Sequence, residues 1–140
     1  GYWRLPDKTA EDFTEDGFFN TGDKGRIDED GYVSIVGRTK DVVITGGLNV
    51  YPKEVELLID DIDGVKESAV IGIPHADFGE AVVAVIVLLP NAKLEEADVI
   101  SIAKQKLANF KVPKKVVFVD DLPRNAMGKV QKNSLRKRYG

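Results

Sequence analysis

Two valine- and isoleucine-rich runs in the middle of the chain constrain its fold more than any other feature. They span residues 68–74 and 81–89, and neither has the apolar spacing that an amphipathic helix requires. Runs of this length and composition predict well-buried strands. Residues 75–80, which include a histidine, an aspartate and a glycine, lie between them. We therefore predict two buried strands joined by a short connection.

Helical patterns lie on both sides of this strand pair. Pro52 suits the first turn of a helix, and the apolar residues from Val55 to Ile62 share one face. Short strands are predicted over residues 41–44 and 116–119, a second helix from about Glu95, and a basic helix at the end of the chain. This order predicts an α+β module after about residue 40, with a mainly antiparallel three-stranded sheet flanked by helices.

The first forty residues differ in character. Turn signals at residues 16–17 and 28–31 and a strand-like stretch at 32–36 predict a β-hairpin among loops and turns. Several aromatic residues, including Trp3, predict packing either onto the module that follows or against something that the chain does not contain. We interpret the chain as a piece of a larger protein, with residues 37–41 as a domain boundary and candidate hinge.

Composition excludes several function classes. The chain has 140 residues, a net charge of −3 and an isoelectric point near 5.2, which argue against nucleic-acid binding as the main role. It has no cysteine, and its single histidine, His75, excludes a His-rich metal cluster and is interpreted as loop structure. No apolar run reaches the length of about 18 residues that a membrane span needs. We expect a cytoplasmic protein with neither a membrane nor a nucleic acid as partner.

One lysine near the end of the chain lies on a turn-forming stretch, residues 123–130. Asn125 and Gly128 favour turns, and Gly128 adds no side chain that could block the approach of a ligand to Lys129. A lysine there could meet phosphate or carboxylate oxygens as they gain charge, or it could be a solvated loop residue. The stretch is not a Walker phosphate loop, because Pro123 and Val130 occupy the places of its first glycine and its serine or threonine.

Three further positions allow a functional and a structural interpretation. Asp23 could accept hydrogen bonds from a ribose diol or cap a turn. Arg38 could bind phosphate or ribose oxygens or form a surface ion pair. The pair Gly46–Gly47 could expose backbone amides to a ligand or form a strand-to-helix turn.

Five short motifs, taken together, resemble the C-terminal motifs of the adenylate-forming enzymes, a family of acyl-CoA synthetases, peptide-synthetase adenylation domains and luciferases. They are residues 1–3 (GYW), 21–23 (TGD), 37–41 (GRTKD), 46–56 (GGLNVYPKEVE) and 123–129 (PRNAMGK). The order of the five makes the resemblance specific, and it covers the whole chain. Two further phrases look most like those of malonyl-CoA synthetases: residues 107–115 (LANFKVPKK) and 127–133 (MGKVQKN).

The resemblance implies a domain organisation and a reaction. Residues 1–37 would end a large N-terminal adenylating domain, and residues 38–140 would form a small C-terminal lid. In that family a carboxylic acid reacts with ATP and Mg²⁺ to give an acyl-adenylate and pyrophosphate; the lid then rotates, and the thiol of CoA displaces AMP. The phosphate-binding loop, the magnesium-binding glutamate and the acyl pocket of the family lie upstream, so we expect no turnover from this chain alone.

The resemblance also implies roles for individual residues. Asp23 would bind the ribose hydroxyls and Arg38 the ribose and phosphate region of the nucleotide. Lys40 occupies the hinge position, where many relatives have aspartate. The pair Gly46–Gly47 would line the pantetheine tunnel, and Lys129 would bridge the carboxylate and the α-phosphate during adenylation. None of these residues is expected to bind a metal.

The family is also known for acetylation of this loop lysine, so a protein lysine acetyltransferase or deacetylase is an expected partner. Acetylation would remove the charge of Lys129. An alternative function for the isolated domain is that of a recognition substrate for a lysine acetyltransferase that acts on Lys129.

Overall fold

The structure, a computed structural model, describes residues 3–140; Gly1 and Tyr2 of the first motif lie outside them. The chain divides into two compact units, with the division between Lys40 and Asp41. This division lies close to the predicted boundary between residues 37 and 38. That the first unit is the end of a larger adenylating domain stays a prediction.

The first unit contains one short helix and a hairpin. Helix α1 (Pro6–Asp12) begins with a proline, which suits a first helical turn. Strands β1 (Asp23–Ile27) and β2 (Val33–Arg38) pair antiparallel, as the hairpin prediction required. The expectation of only loops and turns before the hairpin was wrong, because it omitted α1; that helix has seven residues and no apolar stripe that could signal it. None of the described residues of this unit is buried.

The second unit has a five-stranded sheet and three α-helices. In chain order they are β3 (Val43–Thr45), β4 (Leu48–Val50), α2 (Pro52–Asp60), β5 (Val65–His75), β6 (Gly79–Leu88), α3 (Glu96–Lys106), β7 (Lys115–Val119) and α4 (Lys132–Tyr139). The α+β class and the mainly antiparallel sheet are confirmed, but the sheet has five strands and not three. The strand predicted at residues 41–44 is β3, whereas β4 was not predicted; the two form a short hairpin with three residues in each strand.

Strand β6 organises this sheet. It pairs antiparallel with β5 along its whole length, and on its other edge it pairs with β3 at Gly79 and parallel with β7 from Val83 to Val87. Both faces are covered. On one face Val70, Val82, Ala84 and Ile86 pack with residues of α2 and α3, and on the other Ile71, Val83 and Val85 pack with Leu122 and with Leu135 of α4. Burial on both faces explains why the strand sequences are continuously apolar and do not alternate with polar residues.

Candidate functional site

The loop that carries Lys129 is a well-defined turn between β7 and α4. The side-chain oxygen Oδ1 of Asn125 accepts hydrogen bonds from the amides of Met127, at 3.0 Å, and Lys129, at 2.9 Å. The amide of Asn125 in turn donates to the carbonyl of Lys129, at 2.9 Å. Gly128 has a φ of 79°, a backbone conformation that favours glycine. The turn leaves Lys129 exposed, so its ammonium group can meet a ligand.

Arg124 ties this turn to the sheet. Its guanidinium group donates one hydrogen bond to the carbonyl oxygen of Gly128, at 2.8 Å, and forms an ion pair with Glu67 on β5. Arg124 also pairs through its backbone with Val130, on the other side of the turn. The sequence did not predict a role for either side chain. Arg124 lies inside the motif of residues 123–129, where only Lys129 was given a role, and Glu67 lies 57 positions before Arg124.

The pair Gly46–Gly47 forms the two-residue turn of the β3–β4 hairpin, in which Thr45 and Leu48 are register partners. Both glycines have positive φ, 56° and 77°, as a type I′ hairpin turn requires. The structural alternative of a strand-to-helix turn was therefore wrong, because β4 lies between the glycines and α2. A methyl group added to either glycine would meet nothing within 4 Å. The turn thus offers an exposed backbone surface that a ligand can approach closely.

Two hydrogen bonds join this glycine turn and the strand before it to the β5–β6 hairpin. The amide of Gly46 donates to the carbonyl of Phe78, at 2.8 Å. The amide of Ile44, on β3, donates to Oε2 of Glu80 on β6, at 2.7 Å. Gly72 of β5 leaves room for the Glu80 side chain, because a Cβ at residue 72 would lie 2.8 Å from Oε1 of Glu80 and 2.9 Å from Cγ1 of Val43.

Replacing Gly72 by alanine should therefore destabilise the protein by about 1–3 kcal/mol, the usual cost of overpacking a core. The added methyl group would displace the Glu80 carboxylate and free the amide of Ile44. Urea unfolding followed by circular dichroism measures the loss, and hydrogen exchange of the Ile44 amide reports the displacement. An unchanged unfolding midpoint would contradict this account of Gly72.

Asp23 and Arg38 come together in the first unit. They are register partners at the ends of β1 and β2, and Nε of Arg38 lies 3.6 Å from Oδ1 of Asp23. Arg38 and Lys40 both line a cavity of about 470 Å³, together with Lys8 and Asp12. Lys40 lies exposed in the 3₁₀ helix Thr39–Asp41, at the division between the two units. Arg38 thus forms the surface ion pair that was its structural alternative. Nucleotide binding by Asp23 and Arg38 and the hinge role of Lys40 stay predictions.

The single histidine of the chain makes local contacts. His75 stacks on Phe78, with 4.9 Å between the ring centroids, and its Nδ1 accepts from the amide of Asp77. Within residues 3–140 no group of three or more His, Asp or Glu side chains could hold a metal ion. The same residues contain no helix long and apolar enough to cross a membrane.

A scan against protein families matches residues 54–129 to the AMP-binding enzyme C-terminal domain, which is more than half of the chain. The chain belongs to this family. The matched segment begins in α2 and ends at Lys129, so it includes both strands of the central pair and the loop lysine. The membership that the five motifs predicted is confirmed.

Two relatives of this AMP-binding C-terminal domain are CoA ligases by name. The chain is 52% identical to 3-[(3aS,4S,7aS)-7a-methyl-1,5-dioxo-octahydro-1H-inden-4-yl]propanoyl:CoA ligase of Rhodococcus jostii, over 98% of this chain and 27% of the ligase. It is 44% identical to long-chain-fatty-acid–CoA ligase FadD13 of Mycobacterium tuberculosis, over 99% of this chain and 27% of that protein. The chain thus spans about a quarter of the length of the curated relatives it matches.

Two solved structures have the same fold as this chain. ATP-bound MatB from Rhodopseudomonas palustris matches with a TM-score of 0.92 and 64% identity, over 99% of this chain and 28% of that chain. The amide bond synthetase McbA from Marinactinospora thermotolerans matches with a TM-score of 0.93 and 34% identity, over 100% of this chain and 29% of that chain.

Proposed function

We propose that this chain is the C-terminal part of an ATP-dependent acyl-CoA synthetase. The enzyme would convert a carboxylic acid, ATP and CoA into acyl-CoA, AMP and pyrophosphate through an acyl-adenylate. The observation that carries the proposal is Lys129, an exposed cation on a turn that side-chain and backbone hydrogen bonds define. Membership of the AMP-binding C-terminal domain family and the similarity to two CoA ligases support it.

Lys129 would act in the first half-reaction. A carboxylate must approach the α-phosphate of ATP, and the two anions repel each other. An ammonium group placed beside both offsets this repulsion and stabilises the charge that develops as the new bond forms. A compact cation on a flexible stem suits this task, because it can follow oxygen atoms that move during the reaction.

The glycine turn would act in the second half-reaction. The pantetheine arm of CoA is long and narrow, and the uncrowded backbone at Gly46–Gly47 would allow it to pass close by. Rotation of the second unit at Lys40 would replace the Lys129 loop by the glycine turn at the reacting atoms, so that one small domain serves both half-reactions. Asp23 and Arg38 would contact the ribose and phosphates of the nucleotide.

Magnesium would be held elsewhere in the enzyme. Within residues 3–140 no cluster of acidic side chains could hold it, and the family resemblance places the magnesium-binding glutamate upstream of this chain. We place the enzyme in the cytoplasm, as its composition suggested.

We propose malonate as the acid, on the resemblance of residues 107–115 and 127–133 to malonyl-CoA synthetases. The domain itself does not contain the acyl pocket of the family. In agreement with this, the chain is 52% and 44% identical to ligases whose names give very different acids. The identity of the acid can therefore be tested separately from the enzyme class.

The test uses the full-length protein that carries this chain. It is incubated with ATP, Mg²⁺ and CoA and with malonate, hexanoate or benzoate, and acyl-CoA and AMP are measured by mass spectrometry. We expect acid-dependent AMP and an acyl-CoA of matching mass, with malonate the best of the three. Absence of acid-dependent AMP with every acid would overturn the enzyme class, whereas better turnover of another acid would overturn only malonate. The 140-residue chain alone should form no acyl-CoA.

Control by acetylation is a further expectation from the family resemblance. Lys129 is exposed and so is accessible to a modifying enzyme. Loss of its charge would remove the group on which adenylation depends. No contact described above favours the alternative in which the isolated domain serves only as a recognition substrate for an acetyltransferase, and that alternative stays a prediction.

A further inference from the structure

The two loops of the proposed mechanism are both tied to the same pair of strands, each through one carboxylate. Glu67 lies on β5 and Glu80 on β6. Through Arg124, Glu67 reaches the Lys129 turn, whereas Glu80 reaches the strand that enters the Gly46–Gly47 turn. The two sets of contacts share no side chain.

The hydrogen bonds inside the Lys129 turn define its shape but not its orientation on the domain. Those bonds join residues 125–129 to one another. The two ends of the turn are held by backbone bonds and by packing. The Gln131 amide donates to the Pro123 carbonyl, at 2.7 Å, and Val130 packs in the apolar cluster on the α4 face. The far end, at Gly128, is joined to the sheet by the Arg124 guanidinium group, which links the Gly128 carbonyl to Glu67.

The Arg124–Glu67 ion pair should contribute little to stability. Its side chains are 38% and 25% exposed, and ion pairs that water can reach are weakened by solvent screening. Its geometry is more informative than its energy, because a planar guanidinium group fixes the direction of two acceptors at once. The pair is thus suited to position the turn.

Glu80 plays the matching part for the glycine turn. Its Oε2 accepts from the amide of Ile44, two residues before Gly46, and Gly72 leaves the space in which its carboxylate lies. The backbone pairing of Thr45 with Gly79 and the bond between the Gly46 amide and the Phe78 carbonyl also hold this turn. Removal of the Glu80 carboxylate would leave these backbone contacts without a side chain that fixes the amide of Ile44.

We propose that Glu67, acting through Arg124, positions Lys129 for acyl-adenylate formation, and that Glu80 positions the Gly46–Gly47 turn for thioester formation. The inference rests on the proposed function and adds to it two positioning residues and their intermediary. It implies that the β5–β6 strand pair carries separate supports for the two half-reactions.

The test uses the full-length enzyme and two separate assays. One measures pyrophosphate release from ATP and acid without CoA, and the other measures acyl-CoA formation from premade acyl-adenylate and CoA. Arg124→Ala should lower the first rate about tenfold and leave the second within about twofold, since small displacements of a catalytic group are costly. Glu80→Ala should show the opposite pattern.

Conservative variants separate positioning from folding. Glu80→Gln keeps an oxygen acceptor for the Ile44 amide and should restore thioester formation, and Glu67→Gln should lie between the unmodified enzyme and Arg124→Ala. Glu54→Ala, which removes another exposed ion pair of this unit, with Lys111, serves as the matched control and should change neither rate.

Hydrogen exchange gives a readout that does not depend on catalysis. The amides of Gly128 and Lys129 should exchange faster in Arg124→Ala, and those of Ile44 and Gly46 in Glu80→Ala, each without change at the other loop. Equal slowing of both half-reactions by either variant, or no slowing, would overturn the inference. An unmodified enzyme that forms no acyl-adenylate would instead overturn the proposed function, and hydrogen exchange would still show whether the two supports are separate.

Discussion

Replacing Lys129 by alanine in the full-length protein should lower the rate of acyl-adenylate formation by about 10²–10³-fold, the usual effect of removing one preorganised group that stabilises developing charge. Thioester formation from premade acyl-adenylate and CoA should stay within about threefold, because the repulsion between carboxylate and phosphate no longer has to be overcome. The measurement compares the two half-reactions under identical conditions, with pyrophosphate and acyl-CoA as products.

The control for Lys129 is another exposed lysine of the same unit. Lys104, on α3, lies in a different element, and Lys104→Ala should change neither half-reaction. Lys129→Arg keeps the charge but exchanges a compact ammonium group for a planar fork, so we expect partial activity. Equal losses in both half-reactions for Lys129→Ala would mean that the turn has only a structural role.

The regular elements of the second unit were predictable because local pattern determines them. The apolar stripe from Val55 to Ile62 and the proline at position 52 gave α2, and the two valine-rich runs gave β5 and β6. Strand β3 was predicted at residues 41–44, but its partner β4 was not, although a glycine pair between two short apolar segments is typical of a two-residue hairpin turn. Strand β4 has only three residues and is followed directly by the proline that begins α2, so it has little pattern of its own.

The supports of the site were not predictable in the same way. Glu67 meets Arg124 and Glu80 meets Ile44 across 57 and 36 positions of sequence, and no periodicity connects residues so far apart. From sequence alone, a glutamate on a strand is predicted to be exposed to solvent. Family motifs therefore located the loops to which we assign ligand contacts, whereas only the fold located the side chains that hold those loops.

Glu56 is the most buried of these carboxylates, and it joins three elements. Only 9% of the residue is exposed. Its Oε1 accepts from the amide of Val70 on β5, at 2.9 Å, and from Nζ of Lys132 on α4, at 2.6 Å. Because β5 pairs with β6 on one side only, Glu56 satisfies an amide on the edge of the sheet and links α2 to α4 around that edge.

Replacing Glu56 by alanine should therefore destabilise the chain by about 3–5 kcal/mol. The substitution leaves the buried amide of Val70 without an acceptor and the largely buried ammonium group of Lys132 without a counter-charge, and both losses are costly. Urea unfolding of the 140-residue chain, followed by circular dichroism, measures the change in the free energy of unfolding.

Two substitutions on the same helix identify the cause. Glu56→Gln keeps an oxygen for the Val70 amide and loses only the charge, so it should cost less than Glu56→Ala. Glu54→Ala removes a carboxylate two positions away whose ion pair with Lys111 is 43% and 24% exposed, and it should cost less than about 1 kcal/mol. If Glu54→Ala and Glu56→Ala were equally destabilising, burial at the β5 edge would not be the reason, and the loss would lie in the helical charge pattern of α2.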